Sequence, residues 1–184
     1  EGKWSPSENK ETYEVINPAT EEVLGHASKA TPADVDRALK SAEKGLKVWK
    51  KTTPWNRSYI LRKIADRMRE KKDVLAKWMT LENGKPLAEG IGETNGAADI
   101  FEWNAEETKR IFGQTIESRF EDTRVHVYYQ PVGVVAALSP WNFPLVLAAR
   151  KISTALAAGC SVIIKPDTIC LLYTSDAADE LRSV

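Results

Sequence analysis

The spacing of apolar positions changes several times along this chain. Between residues 12 and 29, Tyr13 and Val15, then Val23 and Leu24, alternate with polar neighbours on either side of Asn17-Pro18-Ala19-Thr20. That pattern predicts a β-hairpin. Helical spacing follows, in Val35, Ala38, Leu39, Ala42, Leu46 and Trp49. Thr31-Pro32-Ala33-Asp34 opens this helix: Thr31 can cap, Pro32 suits the first helical position, and Asp34 places an acid in the first turn. The same device restarts at Thr53-Pro54. Ile60, Leu61, Ile64, Met68, Leu75 and Trp78 follow it, with a break expected near Lys72-Asp73. Glu82-Asn83-Gly84-Lys85-Pro86 reads as a helix stop, with Gly at the end and Pro just beyond. A long helix is predicted over 87–111, with Leu87, Ile91, Ala98, Ile100, Phe101, Trp103 and Ile111 as its core-facing stripe.

After Gly113 the period shortens. Thr115 and Ile116, then Val125, Val127 and Tyr129 alternating with Arg124, His126 and Tyr128, predict strands with one wet face. Val132 to Leu138 is nearly all apolar, as a strand buried on both faces would be. Pro144 to Ala158 is an apolar, alanine-rich helical stretch ending at Gly159, a suitable left-handed cap. A second apolar run, Cys160-Ser161-Val162-Ile163-Ile164, then ends in Lys165-Pro166. Strand, helix and strand make one βαβ unit with a right-handed crossover. Both strands then end on the same side, bringing Trp141-Asn142 and Lys165 close in space. In open parallel sheets, ligands lie at those carboxyl ends.

The chain of 184 residues carries 26 Lys plus Arg and 26 Asp plus Glu, so its net charge is zero. A nucleic-acid partner is not expected without a basic excess. The charged run around Arg67, Arg69, Glu70, Lys71, Lys72 and Asp73 reads as a solvated helix face. No apolar stretch of ~18 residues predicts a membrane span, and Glu1 to Glu11 has no signal-peptide core. Two cysteines, Cys160 and Cys170, form no disulfide framework, and a cytoplasmic setting is expected.

Asn142 offers an amide that cannot titrate, suited to a developing oxyanion. Lys165 offers three donors for ribose hydroxyls or a phosphate. On residue type alone, Asn142 capping the following helix and Lys165 merely standing in a loop stay open. No Gly-x-Gly-x-x-Gly follows the first strand, so the ordinary dinucleotide fingerprint is missing. Chemistry alone stops at an α/β protein with a ligand site.

Residues 131–166, with Pro131-Val132-Gly133-Val134-Val135 leading to Ser139-Pro140-Trp141-Asn142-Phe143-Pro144 and then Gly159-Cys160-Ser161 leading to Lys165-Pro166, resemble the first βαβ of the aldehyde dehydrogenase superfamily. Asn17-Pro18-Ala19-Thr20, Leu81-Glu82-Asn83-Gly84-Lys85-Pro86 and Glu106-Glu107-Thr108-Lys109-Arg110 are similar to it as well, so the resemblance runs from about residue 12 to 168. It implies an α/β fold: the N-terminal part of that family's architecture, truncated, with helices and β-hairpins before a Rossmann-like βαβ. Residues 1–113 would be the helical part of the cofactor domain, 114–131 a hairpin of the oligomerisation arm, and 132–168 the first βαβ. The implied reaction oxidises an aldehyde to a carboxylate with NAD or NADP. A cysteine thiolate attacks the carbonyl and a glutamate activates the deacylating water. Asn142 would hold the oxyanion. Ser139, Pro140, Trp141, Asn142, Lys165, Pro166, Asp167 and Thr168 would line the cofactor site, with Lys165 on the ribose. Phe101-Glu102-Trp103-Asn104-Ala105-Glu106-Glu107 and Arg150 are similar to the succinate-semialdehyde group, where an arginine at this place pairs with the substrate's distal carboxylate. Other semialdehyde or betaine-aldehyde enzymes, and a non-catalytic protein reusing the fold, are the alternatives. The partners implied are a small aldehyde and, for the parent protein, further copies in a dimer or tetramer.

The family's nucleophile, base and glycine-rich turn lie downstream of this region, so the chain by itself is expected to be inactive. Cys160 is expected to be buried and inert. Residues 170–184, beginning Cys170-Leu171-Leu172-Tyr173-Thr174-Ser175, resemble a translated transposase sequencing adapter and are expected to be foreign to the protein.

Overall fold

A computed structural model describes residues 4–168; the adapter-like stretch lies outside the described residues. Strands β1 (Thr12–Ile16) and β2 (Val23–Ser28) form the expected antiparallel hairpin, with an irregularity between Val15 and Ile16. Helix α1 (Pro32–Trp49) starts in a full capping box: the Thr31 hydroxyl accepts from the Asp34 amide, and the Asp34 carboxylate accepts from the Thr31 amide. The Thr31 amide is the largest influence holding the Asp34 carboxyl below the usual carboxylate range. Helices α2 (Pro54–Glu70) and α3 (Lys72–Asn83) break at Lys71, one residue before the expected position. Gly84 closes α3 in the left-handed conformation, φ 74°. Helix α4 (Leu87–Glu107) stops short of residue 111 and tightens into a 3-10 turn over Thr108–Arg110.

The core is helical. Leu61, Ile64 and Met68 from α2, Leu75 and Met79 from α3, and Ala97, Ala98 and Phe101 from α4 pack with Leu145 and Ala149 of helix α5 (Pro144–Ala157). Gly90 admits α3 closely, since a Cβ there would stand 3.0 Å from the Ala76 carbonyl oxygen. At the surface, Arg69 of α2 reaches across to Asp99 (2.8 Å) and Glu102 (2.6 Å) of α4, so the charged run is more than a solvated face. Hydrogen bonding to Asp99, then to Glu102, raises the Arg69 pKa further.

Strands β3 (Gln114–Glu117) and β4 (Arg124–Val127) pair antiparallel, and β5 (Val134–Leu138) pairs parallel with β6 (Ser161–Lys165). The βαβ unit is therefore present. Both α5 and α1 contact its two strands, and the Trp49 indole N–H of α1 donates to the Leu156 carbonyl of α5 at 2.9 Å.

Several expected burials are not met. The α1 stripe leaves Val35 and Leu39 exposed, and no α1 residue is fully buried. Trp103, Leu87 and Ile111 are exposed, so of the α4 aromatics only Phe101 enters the core. Strand β5 is half-exposed rather than buried on both faces, and β3–β4 has no dry face. For the strands one reason is visible: among the described residues each sheet has only two strands, so neither pair is flanked by a further strand.

Candidate active site

The parallel register sets the site. Leu138 stands opposite Lys165, and the Ser139 amide donates to the Lys165 carbonyl at 3.1 Å. The turn carrying Asn142 therefore leaves β5 beside the end of β6. Ser139 is buried, its hydroxyl 3.4 Å from the Pro144 carbonyl, while Pro140, Trp141 and Asn142 are exposed. The side chains of Asn142 and Lys165 make no hydrogen bond or ion pair among the described residues, and Lys165 is exposed. Pro166 and Asp167 are half-buried; the exposed Thr168 donates to Asp167 Oδ1 at 3.5 Å. Ser139 to Asn142 and Lys165 to Thr168 thus form one ledge. Arg150 does not join it. It lies exposed on α5, about 9 Å along the helix from Pro144 at the usual rise per residue.

What holds the turn comes from α3, α4 and the loop between them. Asn83 Nδ2 donates to the Trp141 carbonyl at 2.9 Å. Lys85 Nζ donates to the Asn142 carbonyl at 3.1 Å and sits 4.1 Å from the Phe143 ring centroid. Lys85 is also ion-paired with Glu93, and the two side chains are only 7% and 2% exposed. Glu93 Oε1 in turn accepts from the amides of Leu145 (2.9 Å) and Val146 (3.1 Å). Helix α5 has Phe143 at its N-cap position, with no capping side-chain bond from that residue. Its first amides are satisfied by a carboxylate from another helix, placed where the helix dipole favours negative charge. Asn142 is therefore not the cap of α5.

These supporting residues carry a signal in the sequence. Glu93 falls in the register of Gly90, Thr94, Ala97, Ala98 and Phe101, all buried on α4. An acid on that face needs a buried cation, and Lys85 in the helix stop supplies it.

The chain is an α/β protein with a parallel βαβ, and the ends of its strands, where Asn142 and Lys165 have no side-chain partner among the described residues, are where open parallel sheets generally hold ligands. It belongs to the aldehyde dehydrogenase family, whose model matches residues 4–179. The chain is 47% identical to glutarate-semialdehyde dehydrogenase of Pseudomonas putida over 90% of its own length and 34% of that protein. It is 45% identical to the NADP(+) succinate-semialdehyde dehydrogenase of Escherichia coli, again over 90% of this chain and 34% of the relative. Among solved structures, a betaine aldehyde dehydrogenase of Staphylococcus aureus in complex with NAD+ superposes with a TM-score of 0.96. It is 35% identical, over 99% of this chain and 38% of that one. The chain thus spans about a third of the length of these relatives. Among the described residues no helix is long and apolar enough to cross a membrane, and no group of three or more His, Cys, Asp or Glu could hold a metal.

Proposed function

We propose that the whole protein oxidises a semialdehyde with a distal carboxylate, succinate semialdehyde first, using NAD or NADP, and that this chain supplies the oxyanion donor and the ribose anchor. The observation that carries this is the ledge itself. Asn142, relieved of capping by Glu93, stands free beside the end of the strand that presents an equally free Lys165.

The ledge fits a nucleotide cofactor in its donor chemistry, because an exposed ammonium without a partner among the described residues can donate to ribose hydroxyls. Lys165 would hold the ribose, with Ser139, Pro140, Trp141, Pro166, Asp167 and Thr168 around it. When bound, NAD or NADP supplies the hydride acceptor. Asn142 donates to the aldehyde oxygen. As a thiolate from the rest of the enzyme adds to the carbonyl carbon, the C=O π pair moves onto that oxygen, and the amide meets the charge that develops. Cys160 is not assigned as that thiolate: it is 3% exposed at the start of β6. The chain alone, without nucleophile or base, is proposed to be inactive.

An anionic substrate is supported by the two semialdehyde relatives, whose named substrates both end in a carboxylate. Arg150, exposed and free of partners among the described residues, is proposed as its counter-charge. In the full-length enzyme, Arg150→Glu is expected to raise KM for succinate semialdehyde while leaving a neutral aldehyde such as propanal unaffected. Unchanged kinetics on succinate semialdehyde would remove Arg150 from the substrate site. Residues 114–131 are proposed as part of an assembly arm for a dimer or tetramer, supported by a hairpin exposed along both strands. A cytoplasmic, reducing setting is proposed as well, supported by Cys160, which forms no disulfide among the described residues.

A further inference from the structure

We propose that Lys85 and Glu93 are positioning residues for the oxyanion donor, forming one buried clamp that sets the backbone from which Asn142 projects. The proposal rests on the reading of Asn142 given above. The two halves of the clamp do different jobs. Glu93 fixes the start of α5 by accepting from the Leu145 and Val146 amides at 2.9 and 3.1 Å. Lys85 tethers the turn two residues before that start, donating to the Asn142 carbonyl at 3.1 Å. The ion pair joins the two jobs, and its burial removes solvent screening, so neither side chain is free to swing away. Asn83 adds a third hold, on the Trp141 carbonyl.

The consequence is a division of labour. A turn leading into a helix ordinarily spends a polar side chain on the first free amides. Here that side chain would be Asn142 or its neighbour. Because Glu93 reaches over from α4, the Asn142 amide keeps both N–H groups for a ligand, while its main chain is held by Lys85. Reaction geometry is sensitive to such support, since a displacement on the order of 1 Å costs about 100-fold in rate.

The test uses the full-length enzyme and two readouts. Lys85→Met is expected to lower kcat about 100-fold with KM little changed. In an Asn142→Ala background the same change is expected to cost about twofold or less, because the group it positions is gone. Amide hydrogen exchange across residues 143–147, which needs no activity, is expected to quicken at least about tenfold in Glu93→Ala. The neutral pair Lys85→Met/Glu93→Gln keeps a carbonyl for the α5 amides and covers the case in which a single buried charge prevents folding. It should keep slow exchange at Leu145 and Val146 yet lose turnover as Lys85→Met does. An equal loss of kcat in both backgrounds would make the pair merely structural and overturn the positioning role. Unchanged exchange in Glu93→Ala would overturn the clamp itself. Wild-type turnover in Asn142→Ala would instead overturn the oxyanion reading on which the proposal rests, and the exchange data would show that failure apart from any failure of the clamp.

Discussion

Gly159 joins α5 to β6 at φ 86°, in the region that penalises any side chain with a Cβ. A methyl group there would stand 2.5 Å from Arg57 Nη1 and 2.9 Å from Pro131 Cγ. Gly159→Ala therefore wedges apart α2, the segment leading into β5, and the end of α5. The left-handed backbone costs an alanine roughly 1–2 kcal/mol, and overpacking at a closed site adds about 1–3 kcal/mol. The Pro131 ring is the less yielding of the two neighbours; the Arg57 guanidinium ends a flexible side chain, but it is only 8% exposed, which limits where it can move. A loss of about 2–5 kcal/mol is expected from these two effects, read as a lower urea midpoint of the full-length protein. The steric share can be isolated. In an Arg57→Met background the nearer clash disappears, and Gly159→Ala should cost at least about 1 kcal/mol less than in the wild type, a coupling measured by a double-mutant cycle. Equal costs in both backgrounds would refute the wedge, and a midpoint unmoved by Gly159→Ala would refute the whole argument.

Thr108 is 1% exposed and its hydroxyl donates to the Ala157 carbonyl at 2.6 Å, fastening the turn after α4 to the end of α5. Thr108→Val keeps the shape and strands that carbonyl, so a loss of about 1–3 kcal/mol is expected in urea unfolding; no loss would mean the bond is not made. The α1 capping box has a pH signature. Since the Asp34 carboxyl is held below its ordinary 3.8, its contribution is complete above that value and disappears as pH falls through the lower folded-state value. Wild type should thus be more stable than Asp34→Asn at neutral pH, and the gap should close on acidification. A gap of constant size down to about pH 2 would contradict the capping role.

Most elements were legible because their ends carry local chemistry. Thr31 and Thr53 with a following proline start helices, and Gly84 and Gly159 end them, through interactions within a few residues. The βαβ was legible for a related reason: a small-residue helix between two apolar runs has few ways to cover itself. Burial was less legible. Periodicity marks which face of α1 or β5 is apolar but not whether anything covers it, and Val35, Leu39 and Leu138 stay exposed. The site was half legible. Residue type at the strand ends singles out Asn142 and Lys165 as candidates and the family resemblance gives them roles, whereas Lys85 and Glu93 act on the turn across 57 and 52 positions, a separation that no local pattern records. That Asn142 does not cap α5 is visible only in the bonds of the Leu145 and Val146 amides to Glu93.

The central claim is that the turn at the end of β5 contributes an oxyanion donor. Turnover of succinate semialdehyde by the full-length Asn142→Ala enzyme tests it most directly. The account predicts a fall in kcat of about 100- to 1,000-fold, the scale of losing one such donor, in a protein whose α5 amides remain capped by Glu93. A fall of about tenfold or less would contradict it.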